Sequence, residues 1–192
     1  SIVGDKYSDP KLIAADLIAQ AEHDIYAQSI LITDSKKLIS SVNKNLKQQL
    51  VNLPKKKIAT QSLKKFGLAI YTNKRNKISE IINIIAPEHL ELNIKNYKTY
   101  LTKIKNSGSI CLGKYAIMAM TDYNVGSNHI LPTNSTARYS SGISVNEFYK
   151  RISYINLSKK GIESLGPSVI TLANYEGLQG HAQSVKKRIR RK

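Results

Sequence analysis

The 192-residue sequence holds a single cysteine, Cys111, no tryptophan and two phenylalanines. One cysteine excludes an intramolecular disulfide framework and a multi-cysteine zinc module, and it fits a reducing, cytoplasmic setting. No apolar run approaches the ~20 residues that cross a bilayer, so no membrane segment is expected. No basic stretch followed by an apolar run and a small-residue cleavage site opens the chain. Glycine-rich phosphate cradles are missing too. Neither G-x-G-x-x-G nor G-x-x-x-x-G-K-[ST] occurs, so these residues supply no recognisable nucleotide site.

Acids are the scarcest charge. Thirteen Asp and Glu face 30 Lys and Arg, a formal net charge of +17. No acid falls between Asp34 and Glu80 or from Leu92 to Thr121, and the chain closes on Lys186, Lys187, Arg188, Arg190, Arg191 and Lys192. A charge of this size attracts polyanions without regard to fold. However, no nucleic-acid module is recognisable, and the lysines are scattered over helix faces without interleaved aromatics. The wealth of Lys, Ile, Asn and Tyr matches a low-GC codon bias, so no nucleic-acid partner is expected.

With 41% hydrophobic residues, the chain can bury a core. Asp9-Pro10 followed by Leu12, Ile13, Leu17 and Ile18 predicts a capped helix. Gln28–Thr33, Leu68–Tyr71 and Ser109–Leu112 read as short strands. Helical spacing runs through Leu38, Val42, Leu46 and Leu50, through Ile58–Lys65, and through Ile78, Ile82 and Ile85 up to Pro87. This alternation predicts a parallel α/β sheet. The character changes near Ser141–Ser144, so residues 1–143 are assigned to the α/β part and 144–192 to a small helical tail. In the tail, Val145–Lys150 and Ser158–Leu178 read as helical and Ile152–Asn156 as strand.

Four histidines can be weighed one by one. Gln20 and His23 are three apart at the end of the first helix; they can converge on one ion, or His23 can simply face the helix dipole in solvent. Glu88-His89 follows Pro87 on a turn, which suits two proton-transfer roles or an exposed pair. Asp122 to Thr133 packs an acid, a glycine, His129 and a proline into a polar loop, either functional or an ordinary connection. Glu176 and His181 are five apart around Gly177 and Gly180. They reach one ligand only where the glycines break the helix. Cys111 reads as core.

Taken in order, DLIAQAEHDIYAQSILIT (Asp16–Thr33), IIAPEHLEL (Ile84–Leu92), SGSICLG (Ser107–Gly113), TDYNVGSNHILPT (Thr121–Thr133), FYKRISYINLSKKG (Phe148–Gly161) and LANYEGLQGHAQSV (Leu172–Val185) resemble the histidinol dehydrogenases. The resemblance implies NAD-linked oxidation of L-histidinol through L-histidinal to L-histidine, with one zinc ion per subunit. It implies zinc ligands Gln20, His23, Asp122 and His181, all in contact with substrate. It gives His89 the role of accepting the alcohol proton and contacting substrate, and Glu88 that of activating water. His129 and Glu176 match substrate-contacting positions, and the tail carrying Glu176 and His181 is expected to reach across a homodimer. Family members are more than twice as long, with the nucleotide-binding domain before the position of Ser1, so the resemblance implies that the α/β part here is an incomplete Rossmann-like domain. The chain is therefore expected to be a fragment that is inactive alone, or else a dead remnant.

Overall fold

The computed structural model describes residues 1–189. Arg190, Arg191 and Lys192 of the closing basic run lie outside the described residues. The chain divides into two compact units, Ser1–Phe148 and Tyr149–Lys192. The division falls a few residues beyond the expected 143/144 boundary, after a single 3-10 turn at Val145–Phe148.

The first unit is a five-stranded parallel sheet: β1 (Ile2–Gly4), β2 (Ile30–Thr33), β3 (Leu68–Tyr71), β4 (His89–Asn93) and β5 (Ser109–Leu112), in the order β3-β2-β1-β4-β5. The connections are α1 (Pro10–Ala21), α2 (Lys36–Gln49), α3 (Lys56–Phe66), α4 (Arg75–Ile85) and the short α5 (Lys98–Leu101); α6 (Met118–Tyr123) follows β5. This is the parallel α/β class anticipated above, since parallel neighbours require a crossover.

Helix starts follow their caps. The Asp9 side chain accepts from the Lys11 amide with Pro10 in the first turn, and the Ser35 side chain accepts from the Leu38 amide. Strand alternation then sorts side chains to two faces. Val3, Ile30, Ile32, Leu90 and Leu92 pack with Ile78 and Ile82 of α4. Ile2 and Leu31 point the other way, against Ile13, Leu17, Leu38 and Val42 of α1 and α2. In β4, Leu90 and Leu92 take the α4 face, so His89 and Glu91 fall on the α1 face.

The second unit is a helical hairpin of α7 (Lys159–Tyr175) and α8 (Gln179–Ile189). A Cβ on Gly166 would lie 2.3 Å from Ile189 Cδ1, so the two helices approach through a position without a side chain. Three expectations need correction. Ile152–Asn156 forms no strand, because within its unit the described elements are helices and offer no edge to pair with. Val145–Lys150 makes only the 3-10 turn, too short for an α-helical nucleus. The polar loop expected from Asp122 begins later, since Asp122 lies within α6, whose first amide is bonded by Glu91 (Met118 N to Glu91 Oε1, 2.9 Å).

Candidate active site

The amino end of β4 is shaped by the way α4 stops. Ala86 closes α4 in the left-handed region, φ 48°, with its amide donating to the Ile82 carbonyl at 2.8 Å. That backbone costs a non-glycine residue roughly 1–2 kcal/mol, yet it turns the chain directly into Pro87, Glu88 and the strand. The neighbouring strand locks the turn. Gly108 N donates to Pro87 O at 3.0 Å and Ser109 N to Glu88 O at 2.8 Å. A Cβ on Gly108 would sit 2.7 Å from the Glu88 carbonyl oxygen, so only glycine permits this approach.

His89 is nearly buried, its side chain 10% exposed, with Nε2 3.5 Å from Glu88 Oε1. Its Nδ1 is buried and has no hydrogen-bond partner among the described residues. A cavity of about 440 Å³ opens beside the pair, lined by Gln20, Glu88, His89, Thr133, Asn134 and Ser135 among others. Three segments far apart in sequence thus meet at one polar cavity. Gln20 arrives in the last turn of α1. Thr133–Ser135 arrive because their loop caps α4: Ser135 Oγ donates to Ile85 O at 2.7 Å, and the Arg138 guanidinium donates to Ile84 O. Both satisfy carbonyls that the helix leaves orphaned.

The other expected residues fall in three places. His23 sits in the exposed turn just past the end of α1, its amide bonded to the Gln20 carbonyl at 3.4 Å. Asp122, in the last turn of α6, faces His129: Nδ1 lies 3.4 Å from Oδ1, with the carboxylate 9% and the imidazole 68% exposed. Glu176 and His181 belong to the second unit, and the glycine break anticipated between them is present. Glu176 caps α7, Gly177 adopts φ 75°, and α8 begins at Gln179. Both side chains are exposed. Among the described residues, no three His, Cys, Asp or Glu side chains gather closely enough to hold a metal ion. The donor types expected for zinc, two imidazoles, a carboxylate and an amide oxygen, suit that ion chemically.

Sequence reasoning missed two carboxyls. Glu91 is 3% exposed on β4, and burial pushes its carboxyl above the ordinary range. Asp16, on α1, is within hydrogen-bonding reach of Glu91; burial, then the Glu91 charge, raises it to about 7. The available signal was an acid alternating with leucines in His-Leu-Glu-Leu. Cys111 is core as expected, its thiol pushed up to about 11 by burial, then by the charges of Glu91, Asp122 and Asp16.

Comparison with known proteins follows the same segments. The family model described as Histidinol dehydrogenase matches residues 1–189. The histidinol dehydrogenase of Pelagibacter ubique is 69% identical over 192 residues, which are 100% of this chain and 45% of that protein. That of Lactiplantibacillus plantarum is 45% identical over 97% of this chain and 44% of its own length. The crystal structure of histidinol dehydrogenase from Elizabethkingia anophelis superposes with a TM-score of 0.81 at 37% identity, covering 98% of this chain and 43% of that one. The chain thus spans under half the length of the relatives it matches.

Proposed function

The chain belongs to the histidinol dehydrogenase family, an oxidoreductase family of histidine biosynthesis, and from that membership we propose that it supplies the proton-transfer and metal-holding part of an enzyme oxidising L-histidinol to L-histidine. The observation that carries the reading is the convergence of Gln20, Glu88 and His89 on one cavity at the amino end of β4.

His89 accepts the hydroxyl proton of the substrate, while NAD, when bound, would supply the hydride acceptor. A nearly buried imidazole beside a carboxylate is suited to general-base work. Glu88, the more exposed of the pair, takes a proton from the water that adds to the aldehyde, so the second oxidation can follow at the same place. Gln20, His23 and Asp122 would hold zinc together with His181 contributed across a homodimer. When bound, the ion serves as a template for the imidazole and amine of the substrate. His129 orients the substrate, and the Glu176 carboxylate complements its ammonium group. NAD is expected to reach the substrate from a nucleotide site outside these 192 residues, because no phosphate-cradling motif lies within them.

A graft tests this. The 192 residues replace the matching 45% of the Pelagibacter ubique enzyme, and NAD reduction with L-histidinol and bound zinc are measured. The parent graft is expected to be active with one zinc per subunit. His23→Ala and His181→Ala are expected to lose both zinc and activity, and His89→Asn to lose about 10²–10⁴ in rate with zinc retained. Unchanged zinc in both ligand variants would show that the ligand set is wrong.

A further inference from the structure

Buried Glu91 and half-buried Asp16 have no part in the reaction described above, yet they meet where α1, β4 and α6 come together. Glu91 lies two residues beyond His89 on β4, and so on the same face of the strand. Its Oε1 accepts the amide of Met118, the first residue of α6, at 2.9 Å. The same carboxyl meets Asp16 of α1, one helical turn before Gln20. A single buried side chain therefore joins the elements bearing Gln20, His89 and Asp122. Two carboxyls in contact at such a site are stable together only with a proton shared between them.

His89 borders two cavities, as Ser1 and Gln20 also do. Glu88, which faces Nε2 at 3.5 Å, lines the larger one. Asp16 and Glu91 line the smaller, about 10 Å³, together with Gln20 and His89. A space of that size has room for about one water molecule. On its other nitrogen, His89 presents a buried Nδ1 with no hydrogen-bond partner among the described residues. Leaving such a group unsatisfied is costly, and the acceptor side chains lining the small cavity are the two carboxyls together with Gln20, Ser1 and Ser29, of which only the carboxyls carry negative charge.

We propose that Glu91, backed by Asp16, is a positioning residue for His89: one water in the small cavity joins the imidazole Nδ1–H to the acid pair and so fixes the tautomer whose Nε2 is free to take a proton. Which nitrogen of a histidine carries the hydrogen is set by what the other face bonds. Through Met118 the same carboxylate also holds the start of α6, and with it the height of Asp122. The proposal rests on His89 being the proton acceptor, but its test reads the ring directly.

The 192-residue chain is labelled with ¹⁵N-histidine, and the His89 ring signals are assigned by their loss in His89→Asn. In the parent, His89 is expected in the Nδ1–H form. Glu91→Gln keeps an oxygen for the Met118 amide but withdraws the negative charge, and is expected to move the tautomer ratio several-fold toward Nε2–H while the urea midpoint shows the fold retained. Should that variant fail to fold, Asp16→Asn is read by the same criterion. Ring signals unchanged in a folded variant, or a parent His89 already in the Nε2–H form, would overturn the proposal. An inactive graft alongside a Glu91-dependent tautomer would instead count against the dehydrogenase reading alone.

Discussion

Asp16 shows how a residue's chemistry is decided by neighbours from another segment. As an ordinary aspartate on a solvated helix it would titrate near 4; against Glu91 in a buried corner it rises to about 7. A carboxyl raised on folding binds its proton more tightly in the native state. Its contribution to stability is therefore complete below the unfolded value and disappears as pH rises through the folded one. The urea midpoint of the chain is expected to fall between about pH 4.5 and pH 6, above which the buried Ser1 amine, lowered by burial to about 6, opposes the slope, and Asp16→Asn is expected to flatten the fall. An equal slope in the variant would assign the pH dependence to other groups. Gln20, His23, Glu88 and His89 were legible as candidates because each sits in a short motif. Asp16 and Glu91 were not, because nothing local to either reveals the other.

At the scale of elements, the turn between α4 and β4 holds the site in shape by two opposed means. Ala86 bears a left-handed backbone that glycine would adopt without strain, whereas Gly108 tolerates an approach by the Glu88 carbonyl that a side chain would block. Ala86→Gly is expected to raise stability by up to about 1 kcal/mol, and Gly108→Ala to lower it by about 1–3 kcal/mol, both read by denaturant unfolding. The same sign for the two would show that the turn is not built this way. The helices α1 to α4 and strands β2, β3 and β5 were readable because their apolar spacing and caps are local. The strand β4 was missed and its first residue, His89, placed on a turn with Glu88, since Pro-Glu-His breaks the apolar pattern and its ladder partners, β1 and β5, lie far along the chain. The helix α6 escaped notice for a related reason: it is too short to stand by propensity, and its first amide is held by Glu91.

For the whole molecule, the two units divide the expected donors. Gln20, His23, Glu88, His89, Asp122 and His129 belong to Ser1–Phe148, and Glu176 and His181 to Tyr149–Lys192. In the grafted enzyme, removal of Tyr149–Lys192 is expected to convert a dimer to a monomer in sedimentation and to abolish zinc retention. A zinc-loaded monomer would place the fourth ligand elsewhere. The family model, matching 189 residues from the first, accounts for the resemblance across both units.

By itself the sequence determined the parallel α/β class, most helix boundaries, the family and the roster of candidate ligands and bases, because caps, apolar periods and motif spacing are all carried by neighbours within a few positions. Only the tertiary structure decided which candidates meet. It placed Gln20 beside Glu88 and His89, paired Asp122 with His129, and set two unsuspected carboxyls behind the imidazole. Burial and charge act through space, and that arrangement exists only once β4 lies between β1 and β5 with α1 packed across its face.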